Sequence, residues 1–210
     1  MPDDGRMSSL PVQLRPYRPT DLLALYDVCL RTGESGVDAS TLYRDPLLLG
    51  HVYAAPYATF HPELSFVLDD GQRAVGYVLG VPDSRAYAAR CEDEWSPLLR
   101  GLYPRPDESD SSRDGRLLRL VHRGYRAPES GWLEAYPAHL HIDLLPEAQG
   151  NGNGRRLIGA LLEALRAQGV PGVHLGVGTR NVRAQGFYQR LGFRLLESGE
   201  GALIYGMLVD

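Results

Sequence analysis

The stretch Leu145-Pro146-Glu147-Ala148-Gln149-Gly150-Asn151-Gly152-Asn153-Gly154 lies between a run of bulky residues, Ala138 to Leu145, and an amphipathic run, Arg155 to Gln168. The first run reads as a β-strand. The second reads as a helix stopped by Gly169 and Pro171. Glycines at 150, 152 and 154 let the chain turn tightly and put no side chain in the way of a ligand. Their amides, with the first free N–H groups of the helix, converge on one point, and a helix N-terminus and a backbone nest both favour an anion there. Arg155 and Arg156 add positive charge beside it. The spacing does not fit the dinucleotide fingerprint G-x-G-x-x-G, and no Lys-Ser/Thr follows as in a P-loop. A pyrophosphate is the guest such a loop suits. Read alone, an empty glycine-rich turn fits it equally well.

Downstream of the loop, Leu157, Ile158, Leu161, Leu162 and Leu165 share one helical face, which reads as packing on a sheet and nothing more. Val173 to Val177 is a further strand. Val182 to Leu191 is the last helix, closed by Gly192, with Asn181 as its N-cap. Ala184, Phe187, Tyr188 and Leu191 share a face of that helix, so an isolated Tyr188 would be read as a core aromatic. Phe193 to Glu197 and Leu203 to Leu208 form a closing hairpin around Gly199-Glu200-Gly201.

Upstream, Val12 to Arg18 reads as a short strand, and Thr20 as the cap of a helix that runs to Gly33. Glu63 to Leu68 and Arg73 to Val81 pair around Asp69-Asp70-Gly71. Ala86 to Arg100 is expected to be helical, Tyr103 to Arg116 a polar loop, and Arg116 to Tyr125 a third helical patch. Strands at both ends with helices between point to a mixed α/β (α+β) sheet. The expected domain is one unit, 14–210, behind a disordered leader at 1–13.

Gln149-x-x-Gly152-x-Gly154 resembles the acyl-coenzyme A loop of GNAT acetyltransferases. Asn181-x-x-Ala184-x-x-Phe187-Tyr188-x-x-x-Gly192-Phe193 resembles the later segment of that superfamily, in the same order and about 30 residues on. The likeness extends from Leu14 to Leu208. It implies the GNAT fold, a central mixed, mostly antiparallel sheet flanked by helices, here with a long helical and loop insertion at about 82–136 between the third and fourth strands. A narrower resemblance, over Leu47 to Gly50 and Phe66 to Leu102, is to the acetyltransferase-like C-terminal domain of O-GlcNAcase. In animals that domain departs from the coenzyme loop pattern, which this chain keeps.

The resemblance implies direct transfer of an acyl group, acetyl by default, from acetyl-CoA to an amine. Backbone amides of Gln149, Gly150, Asn151, Gly152, Asn153, Gly154 and Arg155 would hold the pyrophosphate. The strand edge from Ile142 through Leu144 to Leu145 would pair with the pantetheine arm, and an N–H near Leu144 or Leu145 would steady the oxyanion. Asn181 and Ala184 would border the arm, and Tyr188 would protonate the leaving thiolate. The general base of relatives falls on Ala138 and Leu140, which cannot take a proton. His139, His141 and Asp143 stand one residue out of phase, and a strand bulge would be needed to turn one round. Asp143 is the choice among them, with Glu34 acting through water as a second option. The missing base leaves open an inactive coenzyme-binding module acting as sensor or interaction partner.

The long excursion is expected to contribute to the acceptor side, with Trp95, Tyr103, Trp132 and Tyr136 either lining a pocket or anchoring it as core. The chain has 210 residues, a net charge of −4 and 43% hydrophobic residues. That charge disfavours nucleic acid as a partner, and no apolar run is long enough for a membrane span. Cys29 and Cys91 have no metal-ligand spacing, so no metal site is expected, and a reducing cytoplasmic setting is the default. The partners implied are coenzyme A and a small-molecule or protein amine. A homodimer is common in the family.

Overall fold

A computed structural model describes residues 12–209, so most of the expected leader lies outside the described residues. Seven strands form one sheet: β1 Gln13–Pro16, β2 Ser65–Asp69, β3 Ala74–Val81, β4 Ala138–Leu144, β5 Gly172–Gly178, β6 Arg194–Ser198 and β7 Ala202–Leu208. Their order is β1-β2-β3-β4-β5-β7-β6. Every neighbouring pair is antiparallel except β4 and β5. The mixed, mostly antiparallel sheet expected from the sequence is therefore the one observed.

Helix α1, Leu22–Thr32, packs on one face of the sheet against β3 and β4. Helix α7, Asn153–Ala167, packs on the other against β2 and β3. Covered on both faces, β3 is buried along its whole length. On α7 the leucine stripe behaves as its spacing requires: Leu157, Ile158, Leu161 and Leu165 are buried. Each contributes about 1.5–3 kcal/mol by leaving water. Gly80 of β3 is what admits this helix, since a Cβ there would stand 2.4 Å from Leu161 Cδ1.

Several boundaries differ from those read in the sequence. The first helix is not capped by Thr20. Pro19–Asp21 form a 3₁₀ turn, and the buried Asp21 carboxylate accepts from the Arg18 amide at 2.8 Å and from two guanidinium nitrogens of Arg15 at 2.7 and 2.8 Å. Two short helices, α2 Leu48–Tyr53 and α3 Ala55–Phe60, occupy a region with no clear periodicity in the sequence.

The segment between β3 and β4 carries α4 Ser84–Arg90, a π turn at Cys91–Trp95, α5 Ser96–Leu102 and α6 Arg113–Arg123. Asp83 caps α4 by accepting from the Arg85 and Ala86 amides. The π turn precedes Pro97, which has no N–H and would clash with a carbonyl one regular turn back, so the wider turn relieves it. Helix α6 begins three residues earlier than its apolar spacing suggested. Ser112 Oγ accepts from the Gly115 amide at 3.0 Å and supplies the start signal. The last helix, α8, spans Val182–Leu191, and Gly192 closes it at φ +100°.

Candidate active site

Strands β4 and β5 pair only at Ala138 with Val173 and His139 with His174, then part. On its other side β4 stays registered with β3 from His139 to Leu144. The Leu145 amide donates to the Val75 carbonyl at 3.0 Å. Because hydrogen-bonded and non-bonded positions alternate in an antiparallel pair, that bond assigns the odd-numbered residues to β3. The N–H groups of Ile142 and Leu144 therefore point into the gap left by β5. The Leu145 amide, expected as an oxyanion donor, is spent on Val75, and only that of Leu144 remains for the role.

At the end of β4 the chain enters the loop with three successive left-handed residues, Gly150 (φ +81°), Asn151 (φ +49°) and Gly152 (φ +73°). A Cβ added at Gly150 or Gly152 would meet nothing within 4 Å, so those glycines face open space. Among the described residues no protein acceptor takes the amides of Gly150, Asn151, Gly152, Gly154 or Arg155. The Asn153 amide does donate, to the Gly150 carbonyl. Two other expected contacts are structural. Gln149 donates through Nε2 to the Leu144 carbonyl at 3.0 Å, and its own amide bonds Pro146 O. The buried Asn153 side chain donates to the Ala148 carbonyl and accepts from Arg156. These two side chains fix the loop on the strand and the helix. Gly154 differs from the other glycines, since a Cβ there would stand 2.9 Å from Phe187 Cζ. Arg155 is exposed beside the free amides.

On α8, Asn181 Oδ1 accepts from the Ala184 amide at 3.1 Å, leaving the side-chain NH₂ available, and Ala184 is half-buried. The Tyr188 ring packs with Phe187, Phe193 and Tyr205 and is 8% exposed. Its hydroxyl has no protein partner among the described residues. Burial first, and then the charge of Asp143, push this phenol up and hold it protonated.

The register between β3 and β4 contains no bulge, so alternation along β4 is strict. Ala138 and Leu140 are buried on the face that α7 covers, and neither carries a group that can take a proton. His139, His141 and Asp143 line the opposite face, as alternation required, and no bulge turns any of them to the face of Ala138 and Leu140. The Asp143 carboxylate accepts from Tyr77 OH at 2.9 Å and lies 3.4 Å from His141 Nε2. Burial raises its pKa; His141 and the Tyr77 and Thr32 hydroxyls partly offset that. Glu34 is paired with Arg113 at 2.8 Å and is not free to act as a base.

Farther along the same face, Ser84 Oγ donates to the Pro137 carbonyl at 2.7 Å and so accepts from His139 Nδ1, also at 2.7 Å. His139 Nε2 is then the acceptor for Tyr57 OH at 2.9 Å. Burial, then His174, His141 and His61, push His139 down to about 3, so the ring is neutral. A cavity of about 270 Å³ opens here. It is walled by α2 and α3 (Val52, Tyr57), the segment after β3 (Tyr87, Leu120, Tyr125) and His139. None of Trp95, Tyr103, Trp132 and Tyr136 lines it. Trp95 donates to His51 O, Tyr103 to Asp45, and Trp132 to Glu197. Sequence reading missed the cavity because its walls come from five separate stretches of chain.

The sequence model of the acetyltransferase (GNAT) family matches residues 37–193. The O-GlcNAcases of Rattus norvegicus and Mus musculus are each 24% identical over 189 residues, 90% of this chain but 20% of theirs. The chain thus spans about a fifth of the length of those relatives. A mycothiol acetyltransferase of Beutenbergia cavernae is 35% identical over 121 residues, 53% of this chain and 38% of that protein. The crystal structure of SsHAT superposes with a TM-score of 0.88 at 43% identity, covering 95% of this chain and 99% of SsHAT. The structure of yncA from Salmonella typhimurium, solved with its cofactor acetyl-CoA, superposes at 0.55 with 12% identity, over 95% of this chain and 94% of that one. At that identity the likeness is one of fold.

Proposed function

The chain belongs to the acetyltransferase (GNAT) family, and from that premise we propose that it transfers the acetyl group of acetyl-CoA directly to a primary amine. One observation carries the reading. Five unpartnered amides, Gly150, Asn151, Gly152, Gly154 and Arg155, cluster at the end of a strand whose next amides, Leu144 and Ile142, face a gap in the sheet. A diphosphate suits the first group, and an extended chain of amides suits the second. From Leu145 back to Leu140 the strand runs about 17 Å at ~3.4 Å per residue. An arm entering the gap from the loop would hold its thioester beside Leu144 and Asp143, short of the point where β4 and β5 meet.

In this reading Leu144 N–H steadies the oxyanion, which is worth about 3 kcal/mol. Tyr188 gives a proton to the departing thiolate, and Asp143, oriented by Tyr77 and His141, takes one from the amine. The carboxylate on the polar face of β4 favours an enzyme over an inactive coenzyme-binding module. Coenzyme A and an amine are then the partners. The buried, unpaired thiols of Cys29 and Cys91 support a reducing compartment such as the cytoplasm. Among the described residues no helix is long and apolar enough to cross a membrane.

Calorimetry with acetyl-CoA tests the proposal. Micromolar affinity, about 8 kcal/mol, is expected for the natural chain. Gly152→Asp should abolish it by placing a carboxylate where the diphosphate sits. Equal affinity in that variant would sink the assignment.

A further inference from the structure

The cavity beside His139 bears on which amine is used, and this inference rests on the acetyl-transfer reading above. Asp143 and the cavity share one face of β4. A base takes its proton from an amine that arrives on its own side, so whatever carries the amine lies along that face. His139 stands four residues from Asp143, or about 13 Å at ~3.4 Å per residue. A single ring with a short arm does not span that distance. His141 lies between, 3.4 Å from the Asp143 carboxylate, with its ring centroid 5.9 Å from that of Tyr53. Tyr53 is itself part of the cavity wall. The side chains of Asp143 and His141 are 19% and 29% exposed, and Tyr53 is 36% exposed, so accessible surface runs from the base to the cavity.

The cavity itself suits an apolar guest. Its walls are mainly rings and aliphatic side chains, among them Val52, Tyr57, Leu120, Val121 and Tyr125. Ser84 and Tyr57 are bonded to His139, Tyr125 OH to the Val52 carbonyl, and His174 Nδ1 to the Tyr136 carbonyl. The Tyr87 hydroxyl is withdrawn from the cavity surface. No carboxylate lines the cavity, and its one permanently charged residue is Arg126, an exposed cation at the rim. A second ammonium on the acceptor would meet a like charge there and no counter-charge. We propose that the acceptor is a primary amine on an unbranched apolar chain of about ten carbons. An extended chain advances ~1.2 Å per bond, so roughly eleven bonds cover the distance from Asp143 to His139. The first carbons would pass His141 and Tyr53. The rest would fill the cavity, whose volume of about 270 Å³ holds roughly nine water-sized atoms at ~30 Å³ each.

Butylamine, decylamine, tetradecylamine and the ten-carbon α,ω-diamine are suitable probes, titrated calorimetrically into the full chain with and without coenzyme A. Each buried methylene adds about fourfold in affinity, so decylamine should bind at least a hundredfold more tightly than butylamine. Tetradecylamine should gain no more than about twofold over decylamine, because its extra carbons pass the rim into water. The diamine, equal in length but charged at both ends, should bind at least about twentyfold more weakly than decylamine. Leu120→Trp should remove the advantage of decylamine over butylamine and leave coenzyme A affinity unchanged. Ala127→Phe, at a half-buried cavity position outside the helices, gives the same test should Leu120→Trp fail to fold. A smaller advantage for decylamine, affinity that keeps climbing to tetradecylamine, or an advantage untouched by these variants would overturn the proposal. So would decanoyl-coenzyme A binding far more tightly than acetyl-CoA in a manner that Leu120→Trp removes, since the cavity would then serve the acyl group. Should acetyl-CoA itself fail to bind, the acetyl-transfer reading falls. The amine titrations without coenzyme still decide the cavity.

Discussion

Gly154 and Phe187 meet so closely that a single added methyl would stand 2.9 Å from the ring, whereas a Cβ at Gly152, two residues earlier, would touch nothing. Two glycines of one loop are thus required for different reasons. Gly154 lets the first turn of α7 pack on α8, while Gly152 holds a left-handed backbone at φ +73° facing open space. Gly154→Ala should therefore lower stability by about 1–3 kcal/mol through overpacking. Gly152→Ala should cost only about 1–2 kcal/mol of backbone strain. Coenzyme affinity should respond the other way, falling at least tenfold in Gly152→Ala. Urea unfolding paired with calorimetry separates the two. A coenzyme site unaffected by Gly152→Ala would break the link between that backbone and the diphosphate.

Tyr188 offers a second test. Its ring is locked among Phe187, Phe193 and Tyr205, so Tyr188→Phe keeps the packing and removes only the hydroxyl. General acid catalysis contributes typically 10²–10⁴-fold, so kcat should drop by about that much while coenzyme affinity stays within twofold. Thiol release followed in single turnovers is the measurement. An unchanged rate removes the phenol from the chemistry.

The pH dependence should report Asp143. Burial lifts its pKa above the ordinary carboxylate range, and a base works only when deprotonated. The rate should thus rise with pH through an acidic limb displaced upward from that of an exposed aspartate. The groups facing it are His141, Tyr77 and Thr32, and each favours the ionised form. Tyr77→Phe takes away the 2.9 Å hydrogen bond and should move the limb to still higher pH. A limb that stays in place with Tyr77→Phe would assign it to some other group.

How far the sequence speaks depends on how local the cause is. The loop, α7 and α8 were legible because glycine punctuation, an Asn cap and a 3.6-residue stripe lie within a few residues of what they determine. Helices α2 and α3 were not. Leu48–Tyr53 and Ala55–Phe60 are six residues each, too short for a stripe, and Pro56 reads as a breaker although it sits in a first turn where its missing N–H costs nothing. The parity of β4 was readable, and His139, His141 and Asp143 do share one face. Which face matters was not readable, since it depends on α7 covering Ala138 and Leu140 while Tyr57 and Tyr77 come to the other side.

Acid sensitivity should trace to His139. Folding holds this ring neutral, with Nδ1–H on Ser84 and Nε2 accepting from Tyr57, and it pushes the pKa from the ordinary 6.5 down to about 3. A depressed histidine pKa means that the unfolded chain takes up a proton first. The stability this group contributes is complete above pH 6.5 and is lost as pH falls toward about 3. Neighbouring His174, His141 and His61 add to the burial that opposes this protonation. His139→Asn leaves a neutral amide that can still donate to Ser84. It should lower stability at pH 8, where the paired ring is missed, yet flatten the decline between pH 6.5 and 4. Urea midpoints across that range decide it. A decline as steep in the variant as in the natural chain would shift the cause to the carboxylates, whose protonation dominates acid unfolding elsewhere.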